Sequence, residues 1–320
     1  MQLARNIRRL LSRNYRRFDA VRRFLAVEKR NAARAGAGLR PAMLLRGLTS
    51  DKAAIYDARR LARYWPDFDA TGGHRTNGSY AALLDHKDLL HNLLARLDAG
   101  PAVLGLVRRG RYRPFDQPHD RELDEFIGSV DAVLLRHLDV RDPEPPRLLR
   151  RNGSVLLLDS TPVDTGTLAA TLAARTTLVV ASPTSLAAGG IGPTALRFVT
   201  MLRDPASGTP FCAFVLRPAD AAASLGDCLA TAVPAENDSD RETAAALADR
   251  VMRALPMLRA ASFVLARDAE GFRIVDASNV LDVAAAQRHG PLLDDPRIEA
   301  AYTAMFRPRR QRPPTATDRG

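Results

Sequence analysis

Lysine is nearly absent from this chain. Of 320 residues only Lys29, Lys52 and Lys87 are lysines, although lysine and arginine together number 47. The net charge of +11 is therefore almost all arginine charge. Arginine in place of lysine, alongside abundant alanine, is what a GC-rich coding bias produces. Much of the excess also lies at the two ends, so the charge does not argue for nucleic acid. Arginine forks would still suit a phosphate-rich ligand. Cysteine is scarce too: Cys212 and Cys228 are the only two, both in segments that read as buried. That argues against a disulfide framework and fits a reduced cytoplasm. No apolar run approaches the roughly 18 residues a membrane-spanning helix needs. The basic N-terminus lacks the apolar core and small-residue cleavage site of a secretory signal. Gly72-Gly73 and Asn77-Gly78 are turn pairs without the following Lys-Ser/Thr of a P-loop.

What is present is enough apolar content, 46%, for a core in one large domain or two moderate ones. Residues 1–40 carry twelve arginines and lysines against Asp19 and Glu28. Leu3, Ile7, Leu10, Leu11, Phe18, Val21 and Leu25 recur at helical spacing, which predicts a basic amphipathic helix or helix pair. Such a segment either touches an anionic membrane surface or packs its aliphatic stripe on the main domain. Asp51–Trp65 reads as another helix and 67–79 as a loop. Tyr80–Leu97 is strongly periodic and predicts one continuous helix. Strands are expected at Val130–Leu135, Ser154–Asp159 and Thr177–Ala181. Asp164 should N-cap a helix to Ala174, and Arg241–Leu255 is a further helix. Met201–Asp204 and Phe211–Arg217 flank a Pro-Ala-Ser-Gly turn as a hairpin. Residues 306–320 form a basic, Pro-rich tail expected to be disordered.

The stretch Ser262–Asp294 holds the densest chemistry. Phe263–Ala266 and Phe272–Val275 flank Asp-Ala-Glu-Gly as a second hairpin. Its second strand ends in Asp276, Ser278 and Asn279, oxygen side chains of the kind a hard cation such as magnesium takes. The plain alternative is a polar strand end turning into a helix cap. An Ala-rich helical segment follows, then Gln287-Arg-His-Gly-Pro-Leu-Leu-Asp294.

This order resembles the C-terminal end of the sugar-transfer-associated ATP-grasp family, a branch related to glutamate-ligase-like members. The resemblance runs from about Tyr80 to about Met305. It implies an α+β ATP-grasp fold, two subdomains (roughly 100–181 and 182–305) clasping a cleft, behind an N-terminal helical segment, 1–65. It also implies ATP and Mg²⁺ as cofactors and carboxylate–amine ligation through an acyl phosphate, near surface-polysaccharide pathways. Under it, Lys87 matches a lysine that reaches nucleotide phosphates. Arg136 stands where a phosphate-binding Lys-Pro belongs, and Val180-Ala181 is the adenine hinge. Arg197, with Thr200, matches an arginine that stabilises charge in phosphoryl transfer, and Arg217 one that holds an acidic substrate group. Asp276, Ser278 and Asn279 stand for the metal ligands.

The sequence also departs from the family pattern. The loop Asp139–Pro146 has three prolines and no glycine where a Gly-rich loop would close over the triphosphate. Val180-Ala181 has no carboxylate for the ribose. The first strand of the second hairpin lacks a metal-binding Asp, and the Glu-x-Asn pair becomes Asp276-x-Ser278. These losses imply the alternative of a catalytically inactive relative with no cofactor, serving as a binding or partner module. A third alternative is a basic scaffold on an anionic surface. The substrate or protein partner is not legible, and nucleic acid is the least favoured partner.

Overall fold

The computed structural model describes residues 48, 55–57, 59–66, 76–138, 145–222, 224–235 and 239–306. The expectations for residues 1–40, for the part of the 67–79 loop before residue 76, for 139–144 and for the tail beyond Phe306 lie outside these residues, while residues 76–79, expected as loop, are helical. The architecture is α+β, as expected, and is built on two antiparallel sheets.

The first sheet holds β1 (Val103–Arg108), β2 (Arg111–Pro114), β3 (Arg121–Glu122), β4 (Ala132–His137), β5 (Arg147–Asn152), β6 (Val155–Leu158), β7 (Thr161–Val163) and β8 (Thr177–Ala181). Its order is β3-β2-β1-β8-β4-β5-β6-β7. The second holds β9 (Leu196–Arg203), β10 (Pro210–Arg217), β11 (Val233–Pro234), β12 (Ala260–Asp268) and β13 (Gly271–Ser278), ordered β11-β10-β9-β12-β13. Both expected hairpins are there, each with longer strands than the apolar runs alone indicate.

The helices follow from caps and stripes. α1 (Ala82–Asp85) and α2 (Lys87–Arg96) divide the helix expected over Tyr80–Leu97. His86 sits between them at φ −82°, ψ 97°, an extended conformation that ends the first and begins the second. The continuous helix is therefore corrected to two. α3 (Leu123–Ser129) and α4 (Thr165–Ala173) cover one face of the first sheet, where Leu168, Leu172 and Phe126 meet Val133, Leu135 and Val179. Asp164 caps α4 as expected, accepting from Thr167 N–H at 2.8 Å. α5 (Thr184–Gly189) and α6 (Leu225–Ala230) precede α7 (Asp240–Ala254), which realises the expected 241–255 helix. α8 (Val283–Gln287) and α9 (Pro296–Phe306) close the described chain.

Asp51–Trp65 is a second correction. Its described part is irregular apart from 3₁₀ turns at Ile55 and at Leu61–Arg63. The reason is tertiary. Gln287 is fully buried and holds the Trp65 backbone from both sides, its Oε1 accepting from Trp65 N–H at 2.5 Å and its Nε2 donating to Trp65 C=O at 3.0 Å. An extended edge offers both groups outward, whereas a helix would turn them along its axis.

Two cores position the centre of the molecule. Leu90 and Leu94 of α2 and Val251 and Met252 of α7 pack on Val199, Phe263 and Ile274, the outer face of the second sheet. Its inner face contributes Leu196, Phe198 and Leu216 to a core shared with Leu134, Leu148, Leu178 and Val180 of the first sheet. The sheets thus face each other across one apolar layer. No helix among the described residues is long and apolar enough to cross a membrane.

Candidate functional site

At the edge of that layer the second sheet carries an irregularity. β12 and β13 pair Leu265 with Ile274 but Val264 with Asp276, so one residue, Val275, is extra. Strict alternation from the outward-facing Ile274 would turn Asp276 outward as well. The bulge turns it onto the inner face, beside Val264 and Phe198, a known use of bulges for aiming side chains.

Two cations meet it there. Lys87 Nζ lies 3.0 Å from Asp276 Oδ1, and Arg136 Nη1 lies 3.2 Å from Oδ2. Lys87 comes from the first residue of α2 and also donates to Ala277 C=O at 2.5 Å. Arg136 comes from β4 of the other sheet, so the Asp276–Arg136 pair ties the two sheets together. All three are buried, at 7, 3 and 8% exposure. A lysine at a helix N-terminus opposes the helix dipole, and the carboxylate opposite compensates it. Burial by itself would raise the Asp276 carboxyl, but Lys87 and Arg136 outweigh that and hold it below the usual carboxylate range. Burial also draws Lys87 below an ordinary lysine, with Asp276 opposing.

The neighbourhood holds further polar groups. Asn279 Nδ2 donates to Asp85 at the end of α1. Ser278 Oγ accepts from Val280 N–H at 3.0 Å. Thr200 and Ser262 hydroxyls share a hydrogen bond of 2.8 Å, on the face that also bears Ser278. His91, one turn along α2 from Lys87, is 1% exposed, and neither ring nitrogen has a hydrogen-bond partner. Burial pushes its pKa down to about 4, with Asp276 opposing and Arg136 and Lys87 adding to the fall. The half-buried Asp282 is pushed up to about 6, by desolvation first and by the Asp276 charge second. Sequence reasoning passed over His91 and Asp282. The i, i+4 spacing of Lys87 and His91 was the one available signal.

Of the residues singled out from sequence, Lys87, Arg136 and Asp276 come together, with Ser278 and Asn279 beside them. Val180 is buried in the shared core, and Ala181 gives its N–H to Ala102 C=O at 2.8 Å. Arg197 is elsewhere. It pairs in register with Leu265 on the outer face of the second sheet. There it donates to Pro193 and Leu196 carbonyls at 2.6 Å and meets Asp240 at 3.0 Å. Arg217 is half-buried at the end of β10, opposite Val233. Among the described residues no three His, Cys, Asp or Glu side chains cluster closely enough to hold a metal ion.

The arrangement is thus a buried carboxylate bridged by two cations, where an anion such as a phosphate would bind by taking over one of them. The Gln287–Asp294 phrase does other work: Gln287 clamps Trp65, and Asp294 takes Arg60 and, at 2.9 Å, Arg63.

No protein-family model matches this chain, and no curated protein does. Solved structures are similar to it. One is an ADP complex of purK, N5-carboxyaminoimidazole ribonucleotide synthetase, at 15% identity over 72% of this chain and 57% of that one, TM-score 0.44. Another is the ATP-grasp ligase PsnB with precursor peptide PsnA2 and AMPPNP, at 14% identity over 71% and 61%, TM-score 0.42. A third is a RimK domain ATP-grasp protein from Sphaerobacter thermophilus, at 14% identity over 70% and 68%, TM-score 0.38. The chain therefore spans under two thirds of the synthetase and of PsnB.

Proposed function

We propose that this chain is an ATP-grasp-type protein whose inter-sheet junction binds the phosphates of a nucleotide, in the class of ATP-dependent carboxylate–amine ligases. Sugar-transfer or surface-polysaccharide chemistry is its proposed setting. One observation carries the reading. Lys87, Arg136 and Asp276, each singled out from sequence for a nucleotide or metal role, meet at 3.0 and 3.2 Å although they come from a helix and two different sheets.

The fit of ATP and Mg²⁺ is uneven. Lys87 and Arg136 suit phosphate oxygens as a point charge and a fork. Asp276 would accept a cation only by releasing Lys87 or Arg136, with Ser278 and Asn279 as neighbouring oxygens. ATP supplies the phosphoryl group that activates a carboxylate. The chain's own part is to position and neutralise the phosphates with Lys87 and Arg136 inside a layer that excludes water.

A second reading rests on the same burial. With both Asp276 oxygens on cations and Asn279 on Asp85, the triad serves as a permanent tie between the sheets, and the protein is an inactive relative that acts through a protein partner. Calorimetric titration with ATP, with and without Mg²⁺, separates the two. The first reading expects Mg²⁺-dependent micromolar binding, weakened at least about tenfold in Lys87→Ala and Asp276→Ala, matching loss of a charge-assisted contact. Thermal melts establish that both variants are folded. Absence of binding at millimolar ATP would sink the ligase reading and leave the tie.

A further inference from the structure

The hairpin of β1 and β2 has one face covered by α3 and α4 and a second that is covered only at Leu106, which packs on the core between the sheets, and open beyond it. On the covered face Tyr112 stacks on Phe126 of α3 at a centroid distance of 4.1 Å. Its ring also lies 2.6 Å from where a Gly105 Cβ would stand, so only glycine lets the two strands lie so close. The hairpin is rigidly seated on that side.

The open face is set by register. Arg108 stands opposite Arg111 and Leu106 opposite Arg113. Phe115 N–H donates to Leu104 C=O at 2.9 Å, placing those two side by side at the base. The face therefore runs from an apolar base to an arginine tip. Leu104 is 38% and Phe115 55% exposed, and all four tip and shaft arginines, Arg108, Arg109, Arg111 and Arg113, are exposed. Arg111 meets Glu122 at 2.9 Å. Arg108, Arg109 and Arg113 pair with no acid among the described residues. The two-residue turn adds a second sign. Arg109 takes φ 53° and Gly110 φ 75°, where Asn or Asp before Gly is the favoured choice. An arginine held in left-handed backbone at the tip costs stability.

We propose that this face docks an extended acidic polypeptide segment of another protein, with carboxylates at alternate positions and an apolar residue following them. Charge complementarity and spacing select that occupant. Arg111, Arg113 and Phe115 project at every second residue, about 7 Å apart, which is the repeat of same-side residues in a paired strand. Carboxylates at that repeat meet the arginine forks, and the apolar residue covers Leu104 and Phe115. A second copy of this chain is disfavoured, since a two-fold contact would lay like charge on like charge. Single-stranded nucleic acid stacks its bases on aromatic platforms; here Phe115 is the one exposed ring, beside aliphatic Leu104 and Leu106.

The test uses the full chain and fluorescence anisotropy. The probe is a labelled peptide of alternating glutamate and alanine ending in Leu-Phe. Its lysine counterpart and an oligouridine of equal charge are the comparisons. Saturable micromolar binding of the glutamate peptide is expected, with no binding of the lysine peptide. Affinity should fall about tenfold in Arg113→Glu and in Arg108→Glu, fall less in Arg113→Lys, which keeps the charge but loses the fork, and weaken as salt is raised. Phe115→Ala should weaken it about fivefold through lost apolar contact. These positions are exposed, so the melting temperature checks that folding is unchanged. No peptide binding, equal binding by Arg113→Glu, or tighter binding of oligouridine would each overturn the proposal. All of these variants leave the Lys87–Asp276–Arg136 triad intact, so a failure here is distinct from a failure of the nucleotide reading.

Discussion

His91 and Asp282 lie near the same carboxylate, Asp276, yet burial moves them in opposite directions. His91 falls to about 4 from 6.5, so between those values only the unfolded chain takes up its proton, and stability is lost as pH falls. Asp282 rises to about 6 from 3.8, so its stabilising contribution is complete below the lower value and is lost as pH rises through the upper. Each effect is worth about 3 kcal/mol by the linkage relation. They oppose each other across nearly the same window, so the two contributions should largely cancel from about pH 4 to about pH 6. His91→Leu should uncover the aspartate, with the urea midpoint falling as pH is raised. Asp282→Asn should uncover the histidine, with the midpoint falling as pH is lowered. Parallel profiles for all three proteins would refute the pairing. Neither residue was legible as special from sequence. A lone histidine on a helix and an aspartate before an Ala-rich run acquire their meaning from what is packed around them.

At the scale of single elements, apolar runs and turn residues did most of the predicting. Pro-Ala-Ser-Gly and Asp-Ala-Glu-Gly mark both hairpins of the second sheet, and Asp164 marks the start of α4. The β1–β2 hairpin escaped because its second strand, Arg-Tyr-Arg-Pro, reads as charged, its alternation hidden by arginines on the open face. Its crossing point makes a firm prediction. Gly105→Ala would drive a Cβ into the Tyr112 ring and the Arg113 carbonyl. The strands must then separate, lowering stability by about 1–3 kcal/mol, read as a lower denaturation midpoint. An unchanged midpoint would mean that the hairpin yields freely. The bulge at Val275 is of another kind. Nothing in Arg-Ile-Val-Asp-Ala-Ser announces an extra residue, because a bulge exists only relative to a partner strand.

For the molecule as a whole, long-range contacts settle where Trp65 goes. Trp65 is the only tryptophan. It packs on Tyr302 and Phe306 of α9 at 4.9 and 5.8 Å, while Gln287 holds its backbone. Gln287→Ala should leave two buried backbone groups unpaired at a cost of about 1–3 kcal/mol. Because the fluorescence reports from this one place, its change should precede the circular dichroism transition in urea. Coincident transitions with an unshifted midpoint would show that the clamp adds nothing.

Apolar runs and turn chemistry were enough for the second sheet's hairpins and for singling out Asp276 at a strand end, whereas the α+β class and the naming of Lys87 and Arg136 came from the resemblance to the ATP-grasp family. Runs and turns act over a few neighbouring residues, and a single chain displays them directly. Tertiary structure alone decided that these three share one buried junction, that Arg197 stands on the opposite face of its sheet, and that the Gln287 phrase clamps Trp65. Those outcomes depend on strand register, a bulge and contacts across as many as 222 positions of chain, where the energy of a contact is set by which surfaces meet and not by local spacing.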